Sequence, residues 1–523
     1  MMAAGQSLTT PAHKLSELLA GLASVEARAD RAILGLSLDS RKTRPGDLFL
    51  ACQGAQANGA DFIAEALKAG AVAIACDSSA LQAAPRARPR PERGVPLFGI
   101  ENLHQHAGVI AARFYDQPAR DMQLTAVTGT NGKTTVANLL AAVLHAVPAR
   151  APCGLIGTLG YGLYGKTRPG AHTTPDALTL QGLLAEFRAQ GVKSVVMEAS
   201  SHGLEQGRMN AAPVHTAIFT NLSRDHLDYH GDMAAYAAAK RRLFFMPGLK
   251  CAAINSDDEY GRTLLKGLPA GLITLSYGLQ AAPQGLPQVR GNIVRMNAHG
   301  LRLAVSTPWG AGTLESTLFG KFNASNLLAV LAALLLMDMP LNEALTRLAR
   351  ARTVPGRMER FSGAAHQPTL VVDYAHTPDA LRQALTDLRA HLGDEARLWC
   401  VFGCGGERDR GKRPLMGAVA EQYADYLVVT DDNPRNEDAV SIIADILSGM
   451  SNPDGAYIQR DRAQAIAFAM QHAAQHDVVL IAGKGHEEYQ IMGARKIPFS
   501  DRREARRLLH LSGNGHATHQ ERT

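Results

Sequence analysis

Aromatic residues are scarce, 5% of the 523-residue chain, and no basic stripe is interleaved with them. A formal charge of +6 in that setting suits anionic small molecules and argues against a nucleic-acid surface. Cysteine is scarce as well: the six, at 52, 76, 153, 251, 400 and 404, contain no CxxC pair. A zinc ribbon and a disulfide framework lack support, and buried reduced thiols are expected. Long hydrophobic runs are absent; the longest, Leu327 to Met337, has 11 residues, too few to cross a bilayer. The first residues carry neither a long apolar stretch nor a cleavage site, so a cytoplasmic protein without a signal peptide is expected. Length is what the chain does have: 523 residues, 46% hydrophobic and 20% charged, exceed one ordinary core and imply two to three globular domains.

The first hundred residues mix short strands and helices. DLFLAC (Asp47 to Cys52), AVAIAC (Ala71 to Cys76) and VPLFGI read as strands, with a helix from Asp61 to Lys68. APRARPRPERG, 84–94, reads as an exposed loop. From Gln123, apolar strands alternate with helices: LTAVTG, SVVMEAS, TAIFTNL and CAAIN, the pattern of a mostly parallel sheet covered on both faces. A Gly-rich section over 271–320 reads as irregular, before the helix FNASNLLAVLAALLLM. TVPGRMER, Thr353 to Arg360, reads as a domain junction. TLVVDYAH, RLWCVFGC, YLVVTDD and DVVLIAG then form a second α/β series, and the polar SGNGHATHQERT is expected to fray.

The stretch QLTAVTGTNGKTTVANLL, Gln123 to Leu140, is a strand that breaks at Gly129 and reopens as a helix at Gly132-Lys133-Thr134. Glycines let backbone N–H groups approach phosphate oxygens, and the helix N-terminus adds positive potential. Lys133 would reach the terminal phosphates and the Thr134 hydroxyl a magnesium ion. The strict phosphate-loop pattern wants a glycine where Val127 stands. Glu198, at a strand end, is placed for a metal on the phosphates. His226 and Asp228 follow TAIFTNL at the edge where such sheets bind ligands, although a His-rich turn is as often structural. In DNPR, Asp432 to Arg435, the proline stiffens a loop that presents Arg435 at a sheet edge, suited to a second carboxylate on an amino-acid substrate. An ordinary Asx-Pro turn is the alternative.

GTNGKTT resembles the ATP loop of the Mur ligases and their folylpolyglutamate synthetase relatives. The resemblance continues, in order, through LDSRKTRPGDLF, HTTPD, MEASSHGL, TNLSRDHLDYHG, AAKRRLF, PGRMER, DYAHTPDAL, GERDRGKRP, DNPR and GKGHE. It implies an α/β fold of three domains: a small N-terminal α/β domain that binds the UDP substrate (1–108), a central P-loop ATPase domain with a mostly parallel sheet (109–353), and a C-terminal Rossmann-like domain that binds the amino acid (354–523). It also implies ATP and Mg2+, a monomer, and ligation of meso-diaminopimelate to UDP-N-acetylmuramoyl-L-alanyl-D-glutamate.

By the same resemblance, Gly129, Thr130, Asn131, Gly132, Lys133, Thr134 and Thr135 cradle ATP, with Asn326, Arg357 and Asp373 on its far side. Thr134, Glu198, His226 and Lys240 hold the metal, Lys240 as a carbamate (N6-carboxylysine); Lys133, Lys240 and His226 are the catalytic set. Ser40 and Arg41 meet the UDP end, and Thr173, Thr174, Ser200 and Arg208 the muramoyl-dipeptide. DNPR marks the diaminopimelate-adding branch, so Asp432, Asn433, Pro434 and Arg435 bind that amino acid. Arg408 takes a carboxylate, Glu487 the distal amine, and Gly483 contributes its backbone. A lysine-adding enzyme would leave Arg435 without a partner, folylpolyglutamate synthetase has no use for LDSR or DNPR, and a plain NTP switch leaves the C-terminal motifs unexplained.

Overall fold

The computed structural model describes residues 12–54, 57–83, 94–282, 285–297 and 299–511. The Pro/Arg-rich stretch 84–93 and the polar tail 512–523 lie outside the described residues. Two compact units emerge, Met1–Val289 with Ala329–Met339, and Arg290–Leu328 with Pro340–Thr523.

The first unit opens with a four-stranded parallel sheet, Gly35–Ser37, Asp47–Ala51, Ala73–Asp77 and Leu97–Ile100, paired in chain order. Asp47–Ala51 and Ala73–Asp77 are buried throughout, as expected of parallel strands covered on both faces. Side-chain alternation divides them between two cores. Leu48, Leu50, Ala73 and Ala75 pack with Ile110 and Phe114 of helix Leu103–Phe114, whereas Phe49, Ile74 and Cys76 pack with Ile63 and Ala66 of helix Ile63–Lys68.

A larger sheet follows. Six parallel strands run in the order Cys153–Gly157, Ser194–Glu198, Gln123–Thr128, Val214–Phe219, Cys251–Asn255, Ile273–Gly278. Antiparallel Gly160–Leu163 and Lys166–Arg168 extend its first edge. Leu124, Ala126, Val195 and Met197 share a core with Leu180, Leu184 and Phe187 of helix Ala177–Ala189. Helix Lys133–His145 carries nine buried residues, so its apolar surface continues most of the way round, as a helix sunk into a core requires.

The Gly-rich section expected to be irregular is instead mostly strand. Ile273–Gly278 joins the parallel sheet, and in the second unit Gln288–Asn297, Gly300–Thr307 and Gly310–Ser316 form an antiparallel meander. Its glycines are turn residues: Gly300 and Gly310 stand at φ +122° and +121°, which other residues rarely adopt. Between them Leu301, Leu303 and Val305 alternate inward with exposed partners.

The second unit also holds a six-stranded sheet in the order Glu359–Ser362, Thr369–Asp373, Val478–Ala482, Leu398–Phe402, Tyr426–Val429, Ala456–Ile458, parallel apart from its first strand. The strand of this sheet that comes last in the chain, Val478–Ala482, therefore sits between two early ones. Chain order reverses there, and such reversals open a crevice beyond the strands' carboxyl ends. All six cysteines are free thiols, and burial pushes Cys153 up to about 12, which leaves it unreactive.

Candidate functional site

In the first unit the carboxyl ends of adjacent strands converge on the glycine loop. Gly129 (φ +147°) and Gly132 (φ +84°) make the bend between strand and helix, and a Cβ on Gly129 would run into the Thr220 hydroxyl. The loop is held from the neighbouring strand end: Thr220 Oγ1 donates to Asn131 O (2.6 Å), Asn131 N to Asn221 Oδ1 (2.9 Å) and Thr130 N to Asn221 O (2.8 Å). Lys133 Nζ donates to the carbonyls of Gly129 and Thr130, both at 2.8 Å. Lys240 Nζ, on helix Met233–Arg241, donates to the same Gly129 carbonyl at 2.8 Å. Two lysine side chains meet at one carbonyl, and the Lys133 charge there suits an anion. Burial first, and the Lys133 charge second, lower Lys240 to about 6, so its amine is neutral at pH 7.

Glu198 ends its strand fully inside, 1% exposed. Its carboxylate accepts from Thr134 Oγ1 (2.9 Å), Thr158 Oγ1 (3.1 Å) and Thr158 N (2.8 Å), and no cationic side chain pairs with it among the described residues. A buried anion flanked by two hydroxyls is a hard oxygen donor set, the kind that binds Mg2+ jointly with substrate phosphates. Thr173 Oγ1 lies 3.0 Å from Thr158 Oγ1. Thr174 Oγ1 donates to Glu198 O (2.8 Å) and accepts from Ser200 N (2.9 Å), while Arg208 Nη1 donates to Thr174 O (2.7 Å). Ser200 Oγ caps helix Ser201–Glu205 by accepting from Gly203 N (3.1 Å). Thr173, Thr174, Ser200 and Arg208 thus form one network with Glu198.

His226 is half-exposed, at φ +52°, 3.4 Å from Asp225. Its ring centre is 5.0 Å from His202 and 6.1 Å from Tyr236, whose hydroxyl lies 3.2 Å from Thr130 Oγ1 in the glycine loop. The Asp228 side chain lies outside what is described. Ser40 and Arg41 are not brought into this network: Ser40 Oγ donates to Glu65 Oε2 (2.6 Å), and Arg41 pairs with Asp39 (2.8 Å).

In the second unit every expected residue of the amino-acid set follows a strand's carboxyl end. Arg408 comes after Leu398–Phe402, Asp432 to Arg435 after Tyr426–Val429, and Gly483 and Glu487 after Val478–Ala482. Arg435, at φ +55°, has Nη1 on Gly406 O (2.6 Å), and its backbone is stitched to the neighbouring hairpin through Ile491 O (3.0 Å) and Gly493 N (2.7 Å). Arg408 is exposed and makes no ion pair or hydrogen bond among the described residues. Gly483 stands at φ +115°, where a Cβ would come within 2.7 Å of Asp432 Oδ2. Arg413, fully buried, grips Glu437 with both Nη atoms at 2.8 Å and donates to Gly405 O (3.2 Å), tying the loop of Arg408 to the segment after Arg435. In the same unit Asp373 accepts from Met358 N (2.7 Å) and Ala375 N (2.8 Å), Arg357 stacks over Tyr374 at 4.6 Å, and Asn326 donates to Asn323 (3.0 Å).

Sequence reasoning passed over Thr158, Tyr236, Arg413 and Lys484. Lys484 is fully buried and hydrogen-bonded to Asn433 and Glu487, each at 3.0 Å. Its signal was in GKGHE: a lysine directly after the apolar run DVVLIAG starts inside the sheet edge.

Comparison with known proteins covers most of the chain. Residues 32–115 match the catalytic domain of the Mur ligase family, 127–334 the Mur ligase middle domain, and 356–485 the Mur ligase glutamate ligase domain. A protein of Coxiella burnetii named UDP-N-acetylmuramoyl-L-alanyl-D-glutamate--2,6-diaminopimelate ligase is 47% identical over 482 residues, 92% of this chain and 96% of that protein. A protein of Chromobacterium violaceum with the same name is 48% identical over 90% of this chain and 93% of its own length. A solved structure of a ligase so named superposes with a TM-score of 0.70 at 36% identity, covering 95% of this chain and 99% of that one. MurF ligase of Thermotoga maritima, solved with ADP, shares the fold at TM-score 0.58 and 19% identity, over 91% of this chain and 96% of that chain.

Proposed function

The chain belongs to the Mur ligase family, and we propose that it joins meso-diaminopimelate to UDP-N-acetylmuramoyl-L-alanyl-D-glutamate at the expense of ATP, a step of peptidoglycan precursor synthesis. The γ-phosphate passes to the D-glutamyl carboxylate, the diaminopimelate amine attacks the resulting acyl phosphate, and the tetrahedral adduct expels phosphate. The glycine loop, Gly129 to Thr135, holds ATP, and Lys133 offsets charge on the transferred phosphoryl group. Asn326, Arg357 and Asp373 contact the nucleotide. Thr173, Thr174, Ser200 and Arg208 orient the muramoyl-dipeptide, with Ser40 and Arg41 at its UDP end.

Thr134, Glu198 and His226 would hold Mg2+, which would neutralise charge between the carboxylate and the phosphates. Lys240 completes that set as a carbamate. Its neutral amine would add CO2 with loss of a proton, leaving a buried anion able to face a metal. Arg435 receives the distal carboxylate of diaminopimelate, Arg408 a carboxylate and Glu487 the distal ammonium, and Asp432, Asn433, Pro434 and Gly483 shape the pocket.

The functional segments are 1–108, 109–353 and 354–523. The protein acts as a cytoplasmic monomer on small molecules without nucleic acid; among the described residues no helix is long and apolar enough to cross a membrane. The observation that carries the reading is the array of Arg435, Arg408 and Glu487 at one sheet edge, two cations and an anion suited to the zwitterionic far end of an amino acid. The test is the mass of the product: with UDP-muramoyl-dipeptide, ATP and a mixture of diaminopimelate and lysine, the diaminopimelyl tripeptide alone is expected. A lysyl product in equal yield contradicts it.

A further inference from the structure

We infer that Lys484 is the positioning residue of the amino-acid site, holding Glu487 and the Asp432–Arg435 loop in the arrangement that receives the substrate's distal ammonium; this rests on the function proposed above. An ammonium has three protons to donate and no acceptor. Lys484 Nζ finds three acceptors: Asn433 Oδ1 at 3.0 Å, Glu487 Oε2 at 3.0 Å and Asp432 Oδ1 at 3.4 Å. With the side chain fully buried, no solvent competes for those protons, and the ammonium is fixed in orientation.

Two loops are joined through it. Asn433 Nδ2 also donates to Glu487 Oε2 (3.1 Å), and Asn433 Oδ1 accepts from Ile491 N (2.9 Å). Both bonds to Glu487 fall on Oε2, so Oε1 has no partner among the described residues and is the acceptor left for a ligand. Charge points the same way. Asp432 and Glu487 carry two negative charges against one positive on Lys484, leaving a single surplus negative charge beside Arg435 and Arg408. A zwitterionic end group matches this, its ammonium on the surplus charge and its carboxylate on the arginines. Without Lys484 the Asp432 and Glu487 carboxylates lose the donor they share and repel each other. Glu487 then turns away and the distal ammonium loses its acceptor.

The test measures phosphate release by the full chain with meso-diaminopimelate and with 2-aminopimelate, which keeps both carboxylates and lacks the distal amine. In Lys484→Met the KM for diaminopimelate rises at least tenfold while the KM for ATP stays within twofold. The preference for diaminopimelate over 2-aminopimelate falls at least tenfold. In a Glu487→Gln background the same substitution adds less than twofold, because Lys484 acts through that carboxylate. Lys484→Gln, smaller in charge but similar in shape, is read if the methionine variant does not fold. Parallel rises in both KM values, an unchanged preference, or loss of the fold in both variants would make Lys484 structural and overturn the assignment. A wild-type chain that ignores diaminopimelate would instead refute the proposed function itself.

Discussion

Replacing Glu198 by glutamine tests the proposed metal site with almost no change of shape. The carboxylate is 1% exposed and its present neighbours are two hydroxyls and one amide, so it has spare capacity for a cation. Glutamine fits the same space, but its NH2 end faces donors, costing about 1–2 kcal/mol of stability. The larger loss is electrostatic. The scale is that of two unit charges ~4 Å apart at an effective dielectric constant near 20, roughly 4 kcal/mol, of which solvent and phosphate ligands recover part against the ion's second charge. A net ~4 kcal/mol corresponds to a ~10³-fold loss. The assay is phosphate release titrated with Mg2+. Glu198→Gln is expected to raise the half-saturating Mg2+ concentration steeply and depress turnover, with Tm lowered by only a few degrees. An unchanged Mg2+ dependence in a folded, active variant would refute the placement of the metal.

Arg435→Ala removes a half-buried guanidinium from the expected carboxylate, costing about 2–3 kcal/mol, so kcat/KM for diaminopimelate should fall ~10²-fold while KM for ATP holds. Burial lowers Lys240 to about 6, below its ordinary value, so the CO2-reactive amine prevails above that pH and protonates as pH falls through it. A carbamate signal from 13C-bicarbonate should therefore be strong at pH 8, fade below about 6, and be absent in Lys240→Arg; a signal that persists in the arginine variant contradicts the site. Gly129→Ala puts a methyl against the Thr220 hydroxyl at a φ of +147°. That strain of about 2 kcal/mol should raise KM for ATP ~30-fold with KM for diaminopimelate unchanged, as nucleotide titration would show.

Elements whose burial is uniform were legible in the sequence. CAAIN occupies Cys251–Asn255, and SVVME is the buried strand Ser194–Glu198, because a continuous apolar run bounded by polar residues admits few other structures. The meander after residue 288 was not legible. Its alternation is interrupted by Gly291, Gly300 and Gly310, and glycine in quantity reads as loop when its turn role is unknown. The glycine bend between strand and helix was legible because backbone geometry and residue type coincide there. Lys484 and Arg413 did not, since a charged residue is presumed solvated unless its acceptors are visible, and Asn433, Glu487 and Glu437 come from other loops. Ser40 and Arg41 show the converse: the motif is local, but the contacts present, Glu65 and Asp39, belong to their own domain.

The most direct measurement is phosphate release from ATP with UDP-N-acetylmuramoyl-L-alanyl-D-glutamate, comparing meso-diaminopimelate, L-lysine and no amino acid. Release that requires the UDP substrate and diaminopimelate together, and is at background with lysine, is the predicted result. Release that proceeds equally with lysine, or without any amino acid, contradicts the account.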